Sequence, residues 1–427
     1  MTSDPVSAQN SHGSALDRWR QYVTLSSVIS SVLLLVAVFL VVALSTHLGD
    51  TQWDFTTYYY AGKVSASGGD VYNVDVSRQL AGGYVHQYLY PPMAARLFRP
   101  LAALPMDTAR QWWFWLHVLA LVPLVWIWRR FFIVEGPAWP FYLLAIVGFD
   151  QAIYLDLKAG NVTIFEQLLL WTGFTLLVRK RTALFCLCVV GAALLKGLPL
   201  LFLGLLFVLS VDRKWLYAAG SVVLYGVAQI IDYVFDPAAY AGYVSRALRW
   251  DERGPEFNPS TLALLKDLKK AVIGPGFSEG TADIVLWTIY AAIVATVVIV
   301  TWRLIRREYA NRISGDSYES AMTITVLVAT LAFGLIVPRF KIYSFMMVLP
   351  AVYFVIRRFG RHIILPMAII LVALTTHPHL PIEQWSVDLF WWYYPILVLA
   401  LFWAAWVAGT IRSEKTLLQS KLADSSD

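Results

Sequence analysis

Residues 182–195, TALFCLCVVGAALL, run into Lys196-Gly197-Leu198-Pro199 and continue as LLFLGLLFVLS over 200–210, and this stretch decides how the chain is threaded. Both halves are apolar enough to lie in a bilayer, but Gly197 and Pro199 break a helix at the middle. The stretch is bounded by Arg179-Lys180-Arg181 on one side and Arg213-Lys214 on the other. Basic clusters mark the cytoplasmic side of a membrane, so the chain enters and leaves on that side as two short limbs with Lys196 at the apex. A single long helix would invert every later segment. A lysine at a broken apex is tolerable only where it faces water or an anionic partner.

Working outward, similar apolar runs fall near 22–45, 111–128, 138–154, 161–178, 215–235, 283–302, 319–337, 342–356, 363–376 and 390–410. With the two limbs that makes about twelve, several shorter than the roughly 20 residues of a full span. Threaded this way, Arg18/Arg20, Arg129/Arg130, Arg303/Arg306/Arg307/Arg312, Arg357/Arg358/Arg361 and Arg412/Lys415 all land on the same face as the first two clusters. The expectation is an all-α polytopic membrane protein of about 12 transmembrane or half-spanning helices. A cytoplasmic tail covers 1–21, a transmembrane domain 22–411 and a second tail 412–427. The run at 22–45 is read as a retained anchor, because no small-residue cleavage site follows it.

Composition agrees: the 427 residues are 58% hydrophobic and 15% charged, which excludes an ordinary soluble domain. A net charge of +6 would suggest nucleic acid in a soluble chain, but here the cations sit in short links, and no nucleic-acid partner is expected. Cys186 and Cys188 lie two apart in one apolar run, point to different helix faces and are read as packing residues.

The opposite, extracytoplasmic face holds two long connections, about 46–110 and 236–282, and interfacial helices are expected there. Ala94 to Leu104, for example, has Arg96 and Arg99 on one side and Leu97, Leu101 and Leu104 on the other. That face also collects the unusual polar residues. Asp54 stands among aromatics in Trp53-Asp54-Phe55-Thr56-Thr57-Tyr58-Tyr59-Tyr60-Ala61-Gly62, just past the first span. An acid so near a membrane suggests a function, with an interfacial helix cap as the alternative. Asp156, Lys158, Gly160 and Asn161 occupy a short turn, Lys196 its apex, and Pro338-Arg339-Phe340-Lys341-Ile342-Tyr343 another short turn; His377 and His379 precede the last span.

A phosphate accounts for the cations, since arginine offers a planar fork of donors and lysine a compact charge. Held at the bilayer surface, it would be a lipid-linked phosphate; snorkelling to headgroups is the alternative for Arg339 and Lys341. A His-Pro-His without a matching carboxylate cluster is a weak metal signal, and neither metal nor cofactor is expected. Gly-x-Ser-x-Gly, Walker, Rossmann and His-Glu-x-x-His patterns are all missing from the sequence, which disfavours nucleotide-driven chemistry. A carboxylate that deprotonates a hydroxyl while cations hold a phosphate leaving group describes glycosyl transfer from a lipid phosphate.

The order of these motifs resembles glycosyltransferase family 87: Asp54 with its aromatic sequel, Gly68-Gly69-Asp70-Val71-Tyr72, Tyr90-Pro91-Pro92, Gly160-Asn161, Leu195-Lys196-Gly197-Leu198-Pro199 and the late Pro338…Lys341…Tyr343 turn, from about Trp53 to Pro350. The resemblance implies the membrane-embedded C-superfamily architecture and an inverting transferase. Such an enzyme moves a mannose-like hexose or arabinofuranose from a polyprenyl-phosphate donor to a glycolipid or glycan hydroxyl outside the cytoplasm, at the inner (plasma) membrane. It further implies Asp54 as general base, Lys196, Arg339 and Lys341 on the donor phosphate, and a pocket shaped by Tyr58, Tyr59, Tyr90, Asp156, Lys158, Asn161, Tyr343 and His377. The last turn departs from the pattern, since many relatives carry Trp or His near Arg339 and Lys341. A lipid-linked sugar transporter or flippase is the rival reading, although no paired halves are visible.

Overall fold

The structure, a computed structural model, describes residues 13–133, 136–209, 211–247, 258–272, 279–313, 318–359 and 385–424, and every regular element among them is helical. Helix α1 (Gly13–Ser45) leads into a cap built from α2 (Trp53–Ala66), α3 (Val74–Ala81), α4 (Pro92–Leu97) and α5 (Arg99–Ala102). The bundle continues with α6 (Met106–Ile127, extended by one wide turn through Phe132), α7 (Trp139–Ala159), α8 (Thr163–Val178), α9 (Thr182–Leu195), a 3₁₀ segment Leu198–Gly204 running into α10 (Leu205–Val208), and α11 (Lys214–Phe235). After α12 (Pro237–Ala247) and α13 (Thr261–Val272) come α14 (Glu279–Ile313), α15 (Tyr318–Ile336), a 3₁₀ segment Ile342–Val348, α16 (Leu349–Phe359) and α17 (Trp385–Asp424).

Eight of these are long and apolar enough to cross a membrane, and Thr163–Val178, Thr182–Leu195 and Leu198–Val208 are shorter apolar helices. The expected run at 363–376 lies outside the described residues, as do His377, His379 and Trp250–Phe257. Leu25 to Val42 of α1 is largely exposed on an apolar surface, as expected of a helix that meets lipid on most sides.

The limbs on either side of Lys196 both pack against α8. Phe174 of α8 packs against Phe185 on the first limb, at 6.4 Å between ring centroids, and against Phe202 on the second, at 4.9 Å. Chain on both sides of Lys196 therefore returns to one level. The second limb starts as a 3₁₀ turn because Pro199 has no N–H to give to an α-helical ladder.

Some of the basic residues lie close to other cytoplasm-assigned segments. Arg179 lies over the Phe131 ring, 4.7 Å from its centroid, next to Arg129 and Arg130, and Arg358 pairs with Glu308 at 2.6 Å. The free cysteines Cys186 and Cys188 lie within α9, Cys186 buried, as packing residues would.

The cap forms its own apolar cluster, in which Phe55 stacks on Trp113 at 5.6 Å and Tyr58 on Phe98 at 4.9 Å. The stretch 94–104, expected as an interfacial helix, is helical in two short pieces. It divides at Phe98 into α4 and α5; half-buried Arg96 pairs with Asp232 at 2.8 Å, and exposed Arg99 donates to the Ser65 carbonyl at 2.6 Å.

Two broken elements meet beneath the cap. Helix α7 loses helical geometry over Gly148–Gln151, where Phe149, Asp150 and Gln151 take left-handed dihedrals. Phe149 stacks there on Phe345 of the Ile342–Val348 segment at 5.1 Å, which fixes the segment that carries Tyr343.

Candidate active site

The site starts from a helix cap. Helix α7 ends at Gly160 in the left-handed conformation (φ +68), and the chain reverses into α8. Asn161 sits in the reversal, and its Oδ1 accepts from the Thr163 amide at 3.1 Å and the Thr163 hydroxyl at 2.7 Å. Both partners are donors, so the carboxamide can point only one way, with its NH₂ toward the cap.

That NH₂ faces four oxygens: Asp54 Oδ2 at 2.7 Å, Tyr58 Oη at 2.9 Å, Tyr343 Oη at 2.9 Å and Tyr90 Oη at 3.2 Å. It has two hydrogens. Tyr58 in turn donates to Tyr90 at 2.8 Å, so hydroxyl and carboxylate oxygens from α2, the first connection and the Ile342–Val348 segment converge on one fully buried asparagine. Burial pushes the Tyr58 hydroxyl up, with Tyr90 and Asp54 adding to the effect. Burial also raises Tyr90, offset in part by the positive charges of Lys196 and Arg339. Both phenols therefore stay neutral and can donate hydrogen bonds.

Asp54 lies in the first turn of α2, where an acid complements the helix dipole. The start of that helix is bolted to the α7–α8 turn: the Gln52 amide donates to the Lys158 carbonyl at 2.7 Å, its side chain to the Leu157 carbonyl at 2.5 Å, and Trp113 Nε1 to the Gly160 carbonyl at 2.8 Å. Among the described residues no donor reaches Asp54 Oδ1, so one carboxylate oxygen is anchored and the other is available.

Lys196 lies on the other side of Thr163. Its Nζ donates to Thr163 Oγ1 at 2.5 Å, pairs with Glu166 at 3.1 Å and stands 5.3 Å from the Tyr343 ring centroid. Lys341 approaches the same ring at 5.8 Å. The turn bearing Arg339 and Lys341 is gripped by the second long connection: Asn258 Oδ1 accepts from the Phe340 amide at 2.8 Å, and Ser260 donates to the Pro338 carbonyl at 2.7 Å.

Of the residues singled out in the sequence, Asp54, Tyr58, Tyr90, Asn161, Lys196, Lys341 and Tyr343 thus come together, with Arg339 close enough for its charge to reach Tyr90. Asp156 is fully buried beneath them, its Oδ2 accepting from the Ile164 amide at 3.4 Å. Tyr59 belongs elsewhere: its hydroxyl donates to the Leu104 carbonyl at 2.7 Å inside the cap. Adjacent positions on a helix point about 100° apart, so Tyr58 and Tyr59 cannot face one pocket. Lys158 contributes its backbone carbonyl, and His377 lies outside the described residues.

Thr163 and Glu166 were not singled out by the sequence reading. The signal for Glu166 was there: an acid inside an apolar run, one helical turn beyond Thr163. His117, with Nε2 2.6 Å from the Asn161 carbonyl and Nδ1 2.9 Å from that of Trp113, also belongs to the support of the site.

The arrangement brings a carboxylate, neutral phenols and cations near one another, which suits proton removal beside an anionic leaving group. The model of glycosyltransferase family 87 matches residues 88–328, more than half of the chain, a range that holds Tyr90, Asn161 and Lys196, with Asp54 before it and Arg339 and Lys341 beyond it. No curated protein and no solved structure matches the chain. With that match and a helical bundle containing eight candidate spans, the chain belongs to glycosyltransferase family 87 and is a membrane glycosyltransferase.

Proposed function

We propose that the protein transfers a mannose-like hexose or an arabinofuranose from a polyprenyl-phosphate donor to a hydroxyl of a glycolipid or glycan, with inversion, on the extracytoplasmic side of the plasma membrane. The observation that supports this reading is the meeting of Asp54 with Asn161, three tyrosine hydroxyls and Lys196. Asp54 Oδ1 takes the proton of the acceptor hydroxyl as the acceptor oxygen attacks the anomeric carbon. The bond from the anomeric carbon to the phosphate oxygen breaks with its electron pair, and polyprenyl phosphate departs.

Arg339 and Lys341 receive the phosphate in this reading, and Lys196 contributes as well. Its ammonium donates to Thr163 and is paired with Glu166, and its compact positive charge favours a phosphate oxygen beside it. A lipid-linked phosphate accounts for cations held at a membrane surface, with anionic headgroups as the rival partner.

The test uses the purified protein in vesicles with a panel of radiolabelled polyprenyl-phosphate monosaccharides and a glycolipid extract. Transfer or donor hydrolysis with one sugar is the expected result, and Arg339→Gln or Lys341→Gln raises the donor KM. Donor binding with movement across the bilayer and no transfer would favour the transporter. Loss of thermal stability without any change in donor binding would assign both cations to headgroups.

A further inference from the structure

A continuous line of donors runs from Lys196 to Asp54. Glu166 Oε2 holds the ammonium at 3.1 Å, Lys196 Nζ donates to Thr163 Oγ1 at 2.5 Å, Thr163 Oγ1 donates to Asn161 Oδ1 at 2.7 Å, and Asn161 Nδ2 donates to Asp54 Oδ2 at 2.7 Å. Each link has a fixed direction. An ammonium can only donate, which makes the threonine oxygen an acceptor there and leaves its single hydrogen for the carboxamide oxygen. The Asn161 NH₂ is thereby turned toward Asp54. Thr163 and Asn161 are completely buried and Glu166 nearly so, so a broken link leaves a polar group that water cannot readily satisfy.

We infer that Thr163 and Glu166 are positioning residues: through Asn161 they fix which oxygen of Asp54 is occupied and hold the other toward the acceptor. This deepens the proposed function and rests on Asp54 being the base. The line also gives Lys196 a second task beside any contact with phosphate. Glu166 is what keeps the ammonium on Thr163, because without it the lysine would be free to turn wholly toward an anion. Such donor chains polarise one another, so the pull on Asp54 depends on the cation three links away.

The experiment measures sugar transfer by the full-length protein in vesicles, for wild type, Thr163→Val, Thr163→Ser, Glu166→Gln and Asp54→Asn, with kcat and donor KM separated across pH. Valine keeps the branched shape and the backbone amide that Asn161 caps, but removes the hydroxyl. A misplaced catalytic group costs on the order of 10²-fold. Thr163→Val is therefore expected to lower kcat by about 10- to 100-fold with donor KM within about threefold, and to move the acidic limb of the pH profile. Thr163→Ser restores both, and Glu166→Gln shows a smaller change in the same direction.

A Thr163→Val enzyme with wild-type kcat and pH profile, beside an inactive Asp54→Asn, overturns the inference and leaves the proposed function standing. An active Asp54→Asn enzyme overturns the proposed function itself. If Thr163→Val fails to fold, Glu166→Gln decides: an unchanged kcat and pH profile in that variant also overturns the inference.

Discussion

Arg96 of the cap and Asp232 of α11 form an ion pair of 2.8 Å whose carboxylate is almost wholly buried, and the second Asp232 oxygen accepts from the Met93 amide at 3.0 Å. One side chain near the end of α11 thus holds the start of α4, immediately after Tyr90-Pro91-Pro92. Asp232→Ala should lower stability by about 2 kcal/mol, because a charged hydrogen bond is lost and Arg96 is left part-buried without its partner. Transfer should fall as well, since Tyr90 is positioned by the same connection. Thermal unfolding in detergent checks this, and an unshifted melting temperature would contradict it.

Asn161 both accepts from the Thr163 amide at the start of α8 and donates to the site, and the two tasks separate by substitution. Asp also caps helices, whereas alanine at a cap costs about 1 kcal/mol. Asn161→Asp should therefore keep the start of α8 yet lose about 10²-fold or more in transfer, because a second carboxylate faces Asp54 and the pair retains a proton. If capping were its whole task, Asn161→Asp would be as active as wild type and only Asn161→Ala would suffer.

The tyrosine cluster sets an alkaline limit. Burial pushes Tyr58, Tyr72, Tyr88 and Tyr90 above the usual tyrosine range. In the unfolded chain these groups lose their protons near pH 10, whereas the folded chain keeps them, so the unfolded state binds fewer protons above that pH. Stability should be insensitive to these groups below about pH 9 and fall steadily above about pH 10. Melting curves across pH, read beside tyrosinate absorbance, test it. Ionisation of all four without unfolding would contradict the packing.

Gly160 is required by space and by backbone. At φ +68 a side chain is strained, and a Cβ there would collide with the Gln52 side-chain carbonyl and come within 2.9 Å of Phe55 Cβ. Gly160→Ala should cost about 1–3 kcal/mol and displace α2, with it Asp54. Activity falling further than stability predicts is the expected signature; a wild-type enzyme would show that the α7–α8 turn does not position the base.

Much of this was legible in the sequence, and the reasons differ by residue. The threading followed from charge: Arg179-Lys180-Arg181 and Arg213-Lys214 bracket a run that must return, and Phe174 touches both returning limbs. Asp54 and Lys196 stood out because a charge in an apolar setting needs a reason. What joins them did not stand out. Thr163 looks like any first-turn threonine, and Glu166 is one acid in an apolar helix until Lys196 arrives from 30 positions later. Asn258 and Ser260, which hold the Pro338–Phe340 turn, carry no local pattern, because their partners are backbone atoms about 80 residues away. Tyr59 differs from Tyr58 in a way that sequence does not display: its hydroxyl donates to the Leu104 carbonyl.

The central claim, that Asp54 is the base, is tested most directly by measuring polyprenyl-phosphate-dependent sugar transfer for wild type and Asp54→Asn side by side. Base catalysis is worth about 10²- to 10⁴-fold, so the variant should lose at least the lower figure while unfolding near the wild-type temperature and still binding donor. Transfer within a few-fold of wild type would contradict the account and return Asp54 to the task of capping α2.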